Sequence, residues 1–217
     1  MKKLSLIAAI ILLASVTVLG VVFGNHGNNG YNGNGSEDGL KAGSDPLGTL
    51  IITGAGHFIQ SHALFQQFLH KIELADIYGV DYNELRGILN ETLVNIENAG
   101  TTYYDFIKLA AVTPYNQDFI DALRLFDYEG FKEANNLNAV ILSRLASLLR
   151  SGNLTGVFED IHAKTGEISN LLNRVKSMVD KDIFPGIPIL WQINQVYFDE
   201  YLFGQYAAMV FNNVREK

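Results

Sequence analysis

Two ionisable residues interrupt otherwise apolar helical runs: His62 near the middle of the first long run and Glu200 near the middle of the last. Imidazole and carboxylate exchange protons near neutral pH when their surroundings shift them, and both ligate metals. If the two runs form neighbouring antiparallel helices, the residues fall in one layer. A buried polar group without a partner is costly, so a His62–Glu200 hydrogen bond or ion pair is expected, with Tyr103 or Thr165 completing the layer. Such a layer acts on a ligand, proton or metal, or it fixes helix register. The register role is the expected one.

A second pattern is Glu159-Asp160-Ile161-His162, whose Glu-x-x-His spacing puts Glu159 and His162 on one helical face, as in di-metal carboxylate bundles. Those sites need a second such motif and two more carboxylates, and no other helical run supplies the motif. A half-exposed surface pair is the simpler expectation. His57, His62 and His70 are spaced five and eight apart, not the three or four that stacks ligands on a helix. His70 and Glu73 suit a surface contact.

Other chemistry is missing. There is no Gly-x-Ser-x-Gly, and Ser61 beside His62 is sequence adjacency rather than hydrogen-bond geometry. Gly54-Ala55-Gly56 lacks the strand and lysine of a phosphate loop and suits close helix contact or a bend. With no cysteine, thiolate metal sites, thiol nucleophiles and disulfides are excluded. No cofactor is implied, no catalytic motif is present, and a non-enzyme is favoured.

The last run carries Trp191, Tyr197, Phe198, Tyr201, Phe203, Tyr206 and Phe211, interleaved with Gln192, Gln195 and Gln205. So many rings cannot share one narrow seam. Either the helix is buried on several sides or it displays aromatic surface, with Trp191, Tyr197, Tyr201 and Tyr206 as the candidate contacts for a protein partner or a small apolar ligand.

The elements that must position these residues are written in alternating steps of three and four. One seam runs Ile51, Ala55, Phe58, His62, Phe65, Leu69, Ile72 and stops at Gly79. The next is opened by Asp81 and runs Leu85, Leu89, Thr92, Ile96, Ala99, Tyr103, Phe106, Ala110, ending before Pro114. A third runs Ile161, Thr165, Ile168, Leu172, Val175, Val179. The fourth runs Ile193, Val196, Glu200, Phe203, Ala207, Val210, Val214, with Pro188 in its first turn. Shorter helical stretches are expected over 116–126 and 136–149. The fold class is all-α: an up-down-up-down four-helix bundle with two shorter inserted helices, over residues 48–217.

Ahead of it, Lys2 and Lys3 precede a charge-free apolar run over 4–23, the pattern of an export signal. Residues 1–24 therefore read as a signal peptide, cleaved near Val22-Phe23-Gly24, or as a membrane anchor if retained. Residues 25–47 are a Gly/Asn-rich linker too poor in apolar residues to order itself, and His26 within it is a solvated residue. The expected location is exported: periplasmic, secreted, or tethered to the outer face of the cytoplasmic membrane.

The net charge of −7 falls wholly after the linker and argues against nucleic acid, which needs clustered Lys and Arg. Membrane contact is expected only through the N-terminal segment. Together these features favour a non-enzymatic extracytoplasmic helical module for binding, sensing or envelope-associated interaction. The alternative is an exported enzyme or metal-binding bundle using the His/Glu layer.

Overall fold

A computed structural model describes residues 46–113 and 116–215. Among them seven helices form: α1 Pro46–Tyr78, α2 Tyr82–Val112, α3 Gln117–Arg124, α4 Tyr128–Asn135, α5 Ala139–Arg150, α6 Leu154–Val179 and α7 Ile187–Arg215. The long helices α1, α2, α6 and α7 make the core bundle, and α3 to α5 are inserted between α2 and α6.

Three of these insertions stand where two were expected. The additional one, α4, is 8 residues long and buries only Tyr128, too little apolar face to announce itself by period. Helix α1 also begins at Pro46, inside the last residues assigned to the linker. Proline fits a helix start because its missing N–H would have no intrahelical partner there.

Polar side chains set the helix starts. Asp81 accepts from the backbone N–H of Asn83 and Glu84 at the head of α2, as expected. Asn116, Asp127, Asn138 and Asn153 cap α3, α4, α5 and α6 in the same manner. Gly79, at φ +82, ends α1 in a left-handed conformation that glycine adopts without steric cost.

Burial follows the seams closely in α2 and α6, where every expected seam residue is buried. Helix α2 packs along both α1 and α6. Its approach to α6 depends on Gly100, where a Cβ would stand 2.8 Å from Thr165 Oγ1. In α7 the seam departs from expectation: Tyr197 is fully buried while its neighbour Val196 is only partly so.

The backbones of α1 and α7 stand apart because large rings separate them. Tyr197 of α7 stacks on His62 and Phe65 of α1, with centroids 5.0 and 5.6 Å away, and meets Phe58 edge-on at 5.5 Å.

The membrane-anchor expectation is corrected: no helix among the described residues is long and apolar enough to cross a membrane. The run over 4–23 on which that expectation rested, the export signal and the linker up to residue 45 all lie outside the described residues.

Candidate functional site: an apolar cavity with a buried carboxyl

Toward the N-terminal end of α1 and the C-terminal half of α7, the residues that face one another become small: Ala55 on α1, and Gly204, Ala207 and Ala208 on α7. The helices are still held apart by the Tyr197 layer, so these short side chains leave space between them. The result is a cavity of about 290 Å³ among the core helices. Ile51, Phe58 and Ile59 of α1, Tyr103 of α2, and Val157, Phe158 and Ile161 of α6 form much of its wall. Phe58 touches both this space and Tyr197, and so divides the cavity from the His62 layer.

Among the described residues Glu200 is the one charged residue in the cavity lining. Its side chain is 1% exposed, and its Oε1 accepts a hydrogen bond from Arg144 Nη2 of α5. The same Nη2 lies 2.9 Å from Asp160 Oδ2 of α6, an ion pair lacking hydrogen-bond alignment. Arg144 stacks its guanidinium 4.0 Å from the Phe203 ring centroid. One cation therefore serves two carboxylates, and among the described residues Glu200 Oε2 is buried without a hydrogen-bond partner.

Burial pushes the Glu200 carboxyl up to about 7, outweighing the downward pull of Arg144, while Asp160 adds to the rise. Burial, reinforced by the Glu200 charge, also raises the Tyr103 hydroxyl above its ordinary range. A carboxyl poised near neutrality beside an apolar space can hold a ligand's donor or exchange a proton with it.

The expected His62–Glu200 pair is corrected. All four residues of the proposed layer, His62, Glu200, Tyr103 and Thr165, are buried, but they do not form one layer. Tyr103 and Glu200 share the cavity. Thr165 instead donates to the His162 carbonyl at 2.7 Å, closing the α2–α6 contact at Gly100.

His62 accepts from Gln66 Nε2 at 2.9 Å, and the same amide donates to Asn194 Oδ1 at 2.7 Å. With Nε2 accepting, the neutral imidazole carries its proton on Nδ1. Burial lowers His62 to about 4, so at neutral pH it is an uncharged, stacked core residue. Ser61 makes no dyad with it: its hydroxyl donates to the Thr92 carbonyl at 2.8 Å and meets the Tyr197 hydroxyl at 2.6 Å.

The metal reading of Glu159 and His162 also needs correction. Glu159 is exposed, while His162 donates from Nδ1 to the Gly100 carbonyl at 2.9 Å and stacks on Tyr104. Among the described residues no three His, Asp or Glu come together as metal ligands.

Of the expected aromatic surface, Trp191 is 54% exposed and Tyr201 partly so. Tyr197 and Tyr206 are buried. The Tyr206 hydroxyl accepts from the backbone N–H of Asn138 at 2.9 Å, which ties α7 to the start of α5. Tyr201 lines the cavity, and its hydroxyl accepts from Gln205 at 2.7 Å.

Sequence reasoning missed Arg144 and Asp160. Their signal was faint: Asp160 lies inside the Glu159–His162 motif, and Arg144 is the lone basic residue within an apolar helix until Arg150 closes it. No family model, curated protein or solved structure matches the chain.

Proposed function

We propose that this chain is a non-enzymatic binding module that takes a small, largely apolar molecule into the space between its core helices. The observation that carries this reading is the 290 Å³ cavity whose wall, among the described residues, holds one carboxyl and is otherwise uncharged. Its size is at the lower edge of the roughly 300–1,000 Å³ usual for small-molecule sites, and apolar walls with few polar groups are their common chemistry. The up-down-up-down order of the core helices belongs to this proposal, since it sets α1 beside α7 and so opens the space. So does export, for which the support is the charge-free run over 4–23 behind two lysines.

The test is titration with the neutral fluorophore N-phenyl-1-naphthylamine. Saturable binding to one site is expected, and Gly204→Leu should abolish it while circular dichroism stays unchanged. A Cβ at Gly204 meets nothing within 4 Å, so the added side chain has room to fill the cavity. No saturable binding by the parent chain, or equal binding by the filled variant, would overturn the reading.

A second reading has one observation in its favour. Glu200, pushed up to about 7, is tuned as a general acid or base. An exported enzyme acting on a cavity-bound molecule through Glu200 would convert its ligand and lose that turnover in Glu200→Gln. Recovery of every bound molecule unchanged would exclude it.

A further inference from the structure

The cavity's polar group also selects among apolar ligands. We infer that the site takes a molecule with an apolar body and a single protonated amine head, the ammonium seated against Glu200. This rests on the apolar-ligand reading above and adds to it the chemistry of the head.

Charge balance supports it first. Glu200 and Asp160 both face Arg144, so ionising both leaves the cluster one negative charge in excess. Lys164 of α6 contributes to the field at Glu200 but is itself engaged by Glu167 at 2.7 Å. On α2 the group facing Glu200 is Tyr103, and on α7 the nearby titratable lining residue is Tyr201; neither supplies positive charge. Helix α1 gives the cavity only apolar side chains. One monovalent cation would balance the set.

Hydrogen bonding is the second support. Among the described residues Glu200 Oε2 is buried without a hydrogen-bond partner, and a buried acceptor left in that state is destabilising. An ammonium offers three donors and no acceptor, the complement of a free carboxylate oxygen. The aromatic wall is the third. Tyr103, Phe58, Phe158 and Phe211 line the same space, and aromatic rings attract a desolvated cation over their faces. A carboxylate head would meet Glu200 as a like charge, and a neutral hydroxyl would leave the excess charge unbalanced.

The experiment compares n-octylamine, n-octanol and n-octanoate by calorimetry on the full chain at pH 8, where Glu200 is largely ionised. The amine is expected to bind at least about tenfold more tightly than the alcohol, with octanoate weakest. Glu200→Gln should keep octanol binding and bring the amine-to-alcohol ratio close to one. Asp160→Asn, which relieves the charge excess without touching the cavity wall, should shrink the ratio in the same direction. It serves as the second variant should Glu200→Gln fail to fold. Lowering the pH from 8 to 5 on the unaltered chain should erase the preference as Glu200 takes up its proton.

Equal binding of the three, or a ratio unmoved by both variants and by pH, would overturn the amine head while leaving the apolar site standing. Binding of none of them would overturn both.

Discussion

Tyr197 and Ser61 meet at 2.6 Å between α7 and α1, and the direction of that hydrogen bond is determined by a third residue. Ser61 commits its only proton to the Thr92 carbonyl at 2.8 Å, so the Tyr197 hydroxyl must donate to Ser61. Three core helices are joined by two hydrogen bonds, at the level where the Tyr197 ring also separates α1 from α7. The cavity exists because this spacer is large and the residues beyond it are small.

Removing the hydroxyl should be mild and removing the ring severe. Tyr197→Phe is expected to cost about 1 kcal/mol, or roughly 2–4 °C in Tm for a domain of this size. Tyr197→Ala, which strips the stacking on His62 and Phe65, should cost about 3–5 kcal/mol. Urea unfolding of both variants checks this, and equal losses would contradict the spacer role.

Glu200 and His62 should impose opposite pH slopes on stability. The Glu200 carboxyl keeps its proton up to about 7 when folded against 4.5 unfolded, so its contribution is present at low pH and lost as pH rises through that window. His62 is lowered to about 4 from 6.5, so the folded chain refuses a proton that the unfolded chain accepts, and stability is lost as pH falls from 6.5 to 4. Each effect is about 3 kcal/mol, and the two nearly cancel where they overlap. Glu200→Gln should therefore unmask stability that rises with pH, and His62→Gln stability that falls with it. Chemical denaturation between pH 4 and 8 reads both slopes, and parallel slopes in the two variants would refute the assignment.

Breaking the Arg144 contact should hurt most when Glu200 is charged. Arg144→Leu is expected to cost about 2 kcal/mol above pH 7, less than the about 3–5 kcal/mol of a fully enclosed pair because Arg144 keeps some exposure to water. Below that pH the loss should shrink as Glu200 becomes neutral. Combining it with Glu200→Gln should recover most of the stability. A cost independent of pH, with no recovery in the double variant, would show that Arg144 acts through packing on Phe203 instead.

Two helix glycines should respond in opposite senses to the same change. At Gly204 a methyl group meets nothing within 4 Å, so Gly204→Ala should stabilise by about 0.5–1 kcal/mol through helix propensity. At Gly100 it would stand 2.8 Å from Thr165 Oγ1, so Gly100→Ala should push α2 from α6 and destabilise. Thermal melts of the two variants suffice, and a shift of the same sign in both would contradict the packing described for α2 and α6.

Much of the fold was legible because apolar periodicity is a local record of which helix face meets the core. The α2 and α6 seams could be read residue by residue, and Asp81 marked its cap, since capping depends on neighbours two and three residues away. Helix α4 was not legible, because one buried tyrosine in 8 residues makes no period.

For the site, the sequence by itself determined that His62 and Glu200 are polar residues on buried faces, which is what breaks in two apolar seams require. It could not determine their partners. Partners depend on the axial offset and spacing of helices far apart in the chain, and those follow from side-chain volumes that only meet in the folded bundle. The tertiary structure placed Tyr197 between α1 and α7, gave His62 to Gln66 and Glu200 to Arg144, and set small residues opposite one another beyond the spacer. A carboxyl expected to pair with a histidine thereby became a charge in the wall of an apolar cavity.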